Sequence, residues 1–202
     1  MNVLVFSPHP DDAEVLMGGT IARYTMRGHC VMIVLVTVPD QKERRVDESK
    51  RAAAILGAQS TVLNIDSYQL SFNRSLVESF DKIVSDFTPD IIFTSWLHDS
   101  HQDHIAVCQA AVASTRRNTC SVYMYEQAFP GGLSPFPFRA QAFVDISETI
   151  DLKIKSVIAH DSQFQHFTER WIEGIRGRAA YMGFRINVKY AEAFEIVKHI
   201  VD

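Results

Sequence analysis

The chain of 202 residues lacks several things that would have placed it in a special class. No apolar run approaches the ~18 residues expected of a membrane span. The N-terminus enters a strand pattern within two residues, which leaves no room for a signal peptide. Basic residues give no excess: 20 Lys and Arg stand against 24 Asp and Glu, so nothing favours nucleic acid or an anionic membrane as the main partner. Cysteine is sparse. Cys30, Cys108 and Cys120 are an odd number without the CxxC spacing of a structural zinc or redox site. Each sits in an apolar stretch and reads as a reduced core or near-core thiol, usage that fits a cytoplasmic protein. There is no internal repeat, low-complexity tract or linker, and neither GxGxxG nor Walker spacing.

What is present has the rhythm of an α/β protein. Val3–Phe6 and Val31–Val36 are apolar runs rich in β-branched residues, as in parallel strands buried on both faces. Helical spacing leads to a stop at Gly28, and a second helix over about Glu43–Leu56 closes at Gly57. A strand at Val62–Ile65, a helix at Leu76–Phe87 and a strand at Ile91–Thr94 follow. Then come a helix from His104 to about Thr115 and a strand at Ser121–Tyr125. That alternation predicts a doubly wound, mostly parallel sheet in a Rossmann-like three-layer sandwich, with residues 1–202 as a single domain. After Tyr125 the texture changes. A Pro-, Gly- and Phe-rich loop spans Phe129 to Pro137, a short strand is expected around Ala142–Ile146, and helices are expected at Ile150–His160 and Thr168–Met182.

Two polar clusters follow two of the strands. Ser7-Pro8-His9-Pro10-Asp11-Asp12-Ala13-Glu14 comes after the first, and His98-Asp99-Ser100-His101-Gln102-Asp103-His104 after the fourth. Open α/β sheets place ligand sites beyond the carboxyl ends of their strands, so the pair suggests one metal site assembled from distant segments. Zinc enzymes commonly use three ligands drawn from His and carboxylate and keep a position open for water, whose proton a nearby carboxylate can take. Adjacent side chains diverge, so of Asp11 and Asp12 one can bind metal while the other faces the reacting water. Of His101 and His104, one can ligate and the other act on the substrate.

His9-Pro10-Asp11-Asp12-Ala13-Glu14 with Gly18-Gly19-Thr20 resembles the N-terminal signature of the PIG-L/LmbE-like zinc N-deacetylases, and His101-Gln102-Asp103-His104 resembles their second element. Arg45-x-x-Glu48, Lys155 with His160-x-Ser162-Gln163, and Tyr190-Ala191-Glu192-Ala193-Phe194 fall in the family's order. The resemblance implies zinc, or another divalent transition metal, on His9, Asp12 and His104. It also implies Asp11 as general base, His101 as acid or oxyanion partner, Asp103 orienting an imidazole, and Arg45 facing the substrate. Glycines 18 and 19 read as close backbone packing rather than a phosphate cradle. His160 and Gln163 read as buttresses of the site.

The expected activity is removal of acetyl from an N-acetylated amino sugar of the GlcNAc type, or its conjugate. The alternative is a metal-dependent hydratase or lyase acting on an unsaturated carboxylic acid, which the resembling fold also hosts. A third reading keeps the metal site without turnover. The loop at 131–137 is the expected specificity element. Phe129, Phe136 and Phe138 leave a homo-oligomer open.

Overall fold

Successive residues of a strand face opposite ways, and in the first strand both faces are buried: Val3, Leu4, Val5 and Phe6 are all inaccessible to solvent. Val3 and Val5 join Ile33, Leu35 and Phe93 in one apolar cluster, whereas Leu4 and Phe6 join Val34, Val36 and Ile92 in another. A strand buried on both faces is an interior strand of a sheet with helices on each side. The computed structural model describes residues 1–126 and 132–201, and their side chains except at 166–168.

Within those residues the chain runs β1 (Asn2–Ser7), α1 (Asp12–Met26), β2 (Cys30–Thr37), α2 (Lys42–Ile55), β3 (Gln59–Ile65), α3 (Arg74–Phe87), β4 (Ile91–Ser95), α4 (Gln102–Ser114), β5 (Ser121–Tyr125), β6 (Ala142–Asp145), α5 (Ile150–Ile158), α6 (Asp161–Arg185) and β7 (Ala191–Lys198). The sheet has seven strands in the order β3-β2-β1-β4-β5-β7-β6. The first five in that order are parallel, and β7 lies antiparallel to both β5 and β6. From β1 the chain winds outward to β2 and β3, then returns to place β4 on the other side of β1. The reversal sits between β1 and β4, paired at Val3 with Ile91, and opens a crevice at their carboxyl ends.

α1 is broken once. Met17 has non-helical angles (φ −145°, ψ 20°), and the helix restarts through Gly18 and Gly19. The restart exposes backbone donors that a helix interior would satisfy, and they bond to Glu192 of β7: the Gly19 and Thr20 N–H groups donate to its two carboxylate oxygens at 3.1 and 2.7 Å. Lys153 of α5 pairs with the same buried carboxylate, and Thr149 Oγ1 donates to the Gly19 carbonyl at 2.8 Å. The glycines are there for close approach, as the sequence predicted. A Cβ on Gly19 would lie 2.8 Å from side-chain atoms of Ile146. Gly19→Ala is therefore expected to destabilise the fold by about 1–3 kcal/mol, lowering Tm by several degrees in a thermal melt. An unchanged Tm would show that Ile146 yields freely.

Three expectations need correction. α6 begins at Asp161, ahead of the expected Thr168, and continues to Arg185 through Gly174 and Gly177, which have open space around them. β7 was not foreseen, because Glu192 and Glu195 interrupt its apolar pattern; both are buried and paired, Glu195 with Arg139 and Trp96 Nε1. Cys30 is exposed rather than near the core, while Cys108 and Cys120 are buried.

Candidate active site

Each polar cluster is shaped by the strand end it follows. Beyond β1, Ser7 Oγ donates to the His9 carbonyl at 2.8 Å and accepts the Ala13 N–H at 3.2 Å, folding the 8–12 turn back over the strand. Asp11 caps α1 in a left-handed conformation (φ 94°) that costs energy for any residue with a Cβ. Such strain is tolerated where the surroundings hold it, and it turns Asp11 away from Asp12. Asp12 Oδ2 accepts the His9 N–H at 2.8 Å and lies 3.3 Å from His9 Nδ1 and 3.2 Å from His104 Nε2. Asp11 Oδ2 instead lies 4.0 Å from Arg45 Nη2. The divergence expected of adjacent side chains is present.

Beyond β4, Ser95 Oγ donates to the His104 carbonyl at 2.7 Å, and His101 caps α4 by accepting the Asp103 N–H on Nδ1 at 3.2 Å. The rings of His9, His101 and His104 meet with centroids 4.8 to 5.3 Å apart. Ligand atoms of His9, Asp12 and His104 all lie within 4.8 Å of one another, as do those of His9, His101 and Asp103. In the second set, Asp103 Oδ2 sits 2.9 Å from His9 Nε2, the nitrogen turned away from Asp12. Asp103 thus orients an imidazole, as anticipated, and that imidazole is His9.

The electrostatics follow from burial and these contacts. Burial opposes charge on His9, but the Asp103 and Asp12 carboxylates outweigh it and push its pKa up to about 9. His104 is likewise pushed up to about 10, burial being overcome by Asp12 and Asp99. Burial would raise Asp12, yet His104 and His9 hold it far below the usual carboxylate range. Asp11 goes the other way: burial and the Asp12 charge raise it to about 7, against the pull of His160 and Arg45. His101 is lowered by burial and by the two neighbouring imidazoles. The cluster attracts positive charge at His9–Asp12–His104 and keeps a basic carboxyl beside it.

A cavity of about 250 Å³ opens on this cluster, and His9, Asp11, Asp12, Arg45, His101 and His104 all line it. Val15, Leu16, Pro39, Gln163 and Trp171 complete the wall. Arg45 is buried there with Nη1 on Asp40 at 2.7 Å and Nη2 on the Pro10 carbonyl at 3.1 Å. Its fork therefore braces the Asp11 turn as well as facing the cavity. Two of the sequence elements noted above lock together beside it. Glu48 of α2 accepts the Ser162 N–H at 2.9 Å and the Ser162 hydroxyl at 2.6 Å, fixing the start of α6 and with it Gln163. Glu14 lies outside the ligand sets, 3.6 Å from His160 Nε2. The described part of the 131–137 loop is absent from the cavity wall; Phe136 packs against His98 with tilted rings, centroids 4.5 Å apart, and Phe129 and Gly131 lie outside the described residues. Trp171 and Pro39 carried no signal in the sequence, since a lone aromatic on a helix and a proline in a turn read as ordinary structure.

Imidazoles and carboxylates gathered in the crevice at the switch point of a mostly parallel sheet define an α/β enzyme with a metal-type site. The chain belongs to the PIG-L, GlcNAc-PI de-N-acetylase family, whose model matches residues 4–115, and it is an N-deacetylase. It is 27% identical to the diacetylchitobiose deacetylase of Thermococcus kodakarensis, over 98% of this chain and 84% of that one. Among solved structures, the N,N'-diacetylchitobiose deacetylase of Pyrococcus horikoshii superposes with a TM-score of 0.83 at 26% identity, covering 99% of this chain and 86% of that one. The 4-carboxy-2-hydroxymuconate hydratase of Pseudomonas putida superposes with a TM-score of 0.85 at 20% identity, covering 100% and 98%, a likeness of fold. Among the described residues, no helix is long and apolar enough to cross a membrane.

Proposed function

We propose that the chain is a zinc-dependent hydrolase that removes the acetyl group from an N-acetylated amino sugar of the GlcNAc type, or its conjugate, and releases acetate. The observation that carries this reading is the convergence of a three-donor set, His9, Asp12 and His104, with a basic carboxyl, Asp11, and a third imidazole, His101, on one cavity. The donors suit zinc: two imidazoles and one carboxylate, each imidazole turning one nitrogen toward Asp12 while a carboxylate holds the other. When bound, zinc polarises the amide carbonyl and lowers the pKa of water.

The residues divide the remaining work. Asp11, with its affinity for protons raised, takes the proton of the attacking water as the new C–O bond forms. His101 accepts the Asp103 N–H on Nδ1, so its neutral ring carries the proton on Nε2, a donor for the developing oxyanion. The C–N bond then breaks, the amine leaves with the proton that Asp11 received, and acetate follows. Arg45 contacts the substrate from the cavity wall. The cavity is small for a ligand site, which favours one sugar unit at the reacting position. Similarity to the two diacetylchitobiose deacetylases supports an N-acetyl sugar over the unsaturated acid of the hydratase, whose likeness is one of fold.

We read residues 1–202 as one catalytic unit, and the unpaired thiols as fitting a reducing, cytoplasmic setting. The test is a panel of N-acetylated sugars assayed by release of free amine. Zinc-loaded protein is expected to release amine, chelation to abolish release, and added zinc to restore it. Full activity after complete metal removal would overturn the metal role. Hydration of an unsaturated dicarboxylate with no amine release would favour the hydratase.

A further inference from the structure

We propose that Asp99 is a positioning residue for this site, one buried carboxylate that fixes His104 through its ring and His101 through its main chain and so sets how tightly the cluster holds its cation. The inference rests on reading His9, Asp12 and His104 as metal ligands. The Asp99 side chain is 1% exposed, and its two oxygens do different work. Oδ2 lies 2.8 Å from His104 Nδ1, and Oδ1 accepts the His101 N–H at 2.8 Å.

A carboxylate only accepts hydrogen bonds, so this contact keeps the His104 proton on Nδ1. Nε2, 3.2 Å from Asp12 Oδ2, is then the nitrogen whose proton a binding metal displaces. His9 is arranged in mirror fashion, with Nε2 against Asp103 at 2.9 Å and Nδ1 turned to Asp12. The two ligands thus present opposite nitrogens, each backed by an acid. Asp99 differs from Asp103 in its second bond, which reaches the backbone of the imidazole assigned to the oxyanion. A simple loop role is the rival account, since a carboxylate bonded to the N–H two residues on is a common turn device.

Asparagine separates the two accounts. Asp99→Asn retains an oxygen for the His101 N–H, so a turn role survives. Its amide NH₂ then faces His104 Nδ1, favouring the tautomer whose proton blocks Nε2. The experiment is competition for zinc against a chromophoric chelator, with thermal melts of the metal-free proteins. For Asp99→Asn we expect zinc binding about 10–100-fold weaker than wild type with little change in metal-free Tm. Asp99→Ala, which removes both bonds, is expected to bind at least as weakly. Zinc affinity within about twofold of wild type in either folded variant overturns the proposal, since the effect of such partners is about tenfold or more. Wild-type protein that takes up no zinc would instead overturn the ligand reading, so the two failures are distinguishable.

Discussion

Asp11→Asn is expected to give a folded, zinc-binding protein whose kcat/KM for deacetylation is about a thousandfold lower, the middle of the range for a positioned general base. The amide keeps the size of the side chain and removes the proton acceptor. It also fits the left-handed backbone at this position (φ 94°) better than aspartate does. The same substitution should stabilise the metal-free protein. Burial and Asp12 raise the folded-state pKa of Asp11 from 3.8 to about 7, so folding favours its protonated form. That contribution is fully present below 3.8 and is lost as pH rises through about 7, above which the ionised carboxylate weakens the fold. Metal-free Asp11→Asn should therefore melt higher than wild type above pH 7, by roughly 2 °C or more, and match it more closely in acid. In the wild type, the acid limb of kcat/KM should lie between 3.8 and about 7. Undiminished activity in the variant would remove Asp11 from the proton transfer. A lower Tm at high pH would show that the carboxylate supports the fold.

Glu192→Ala is expected to have the largest effect on stability. Its carboxylate satisfies two backbone donors at the break in α1 and neutralises Lys153 in the same buried space. Removing it leaves a buried ammonium and two buried N–H groups without partners, a loss of about 3–5 kcal/mol for a broken buried pair. In a chain of this length that corresponds to a fall in Tm of about 6–20 °C by calorimetry. The double variant Lys153→Met with Glu192→Gln should recover part of the loss, because the amide still offers an acceptor and no charge remains buried. A single variant melting within about 2 °C of wild type would mean that water or another acceptor satisfies Lys153 and the two N–H groups.

The legible part of the sequence was the part whose physics is local. Strands buried on both faces show as unbroken apolar runs, and β1, β2 and β4 appeared within a few residues of their observed limits. The His9 and His101–His104 clusters could be paired because each follows such a strand, and β1 beside β4 brings them together. What stayed hidden depends on partners far along the chain. Glu192 and Glu195 looked like solvent-facing breaks, and only Lys153, Arg139 and the α1 donors make them compatible with a buried strand. Asp99 stands in the second polar cluster with no role legible from its sequence. Its place five residues before His104, in a turn ahead of a helix, does not disclose a bond to the imidazole ring. Trp171 lies within the expected helix, but its place there does not disclose that it faces the cavity.

The reversal of winding between β1 and β4 also makes the site a joint between two separate cores. α1, which carries Asp12, packs with Ala13, Val15 and Ile21 on one side of the sheet, and α4, which carries His104, packs with Val107, Ala110 and Ala111 on the other. A cation held by both spans the layers like a rivet through a laminate. A cavity opened in either core that lets its helix slide would misalign one jaw of the grip, so metal retention would report packing defects far from any ligand.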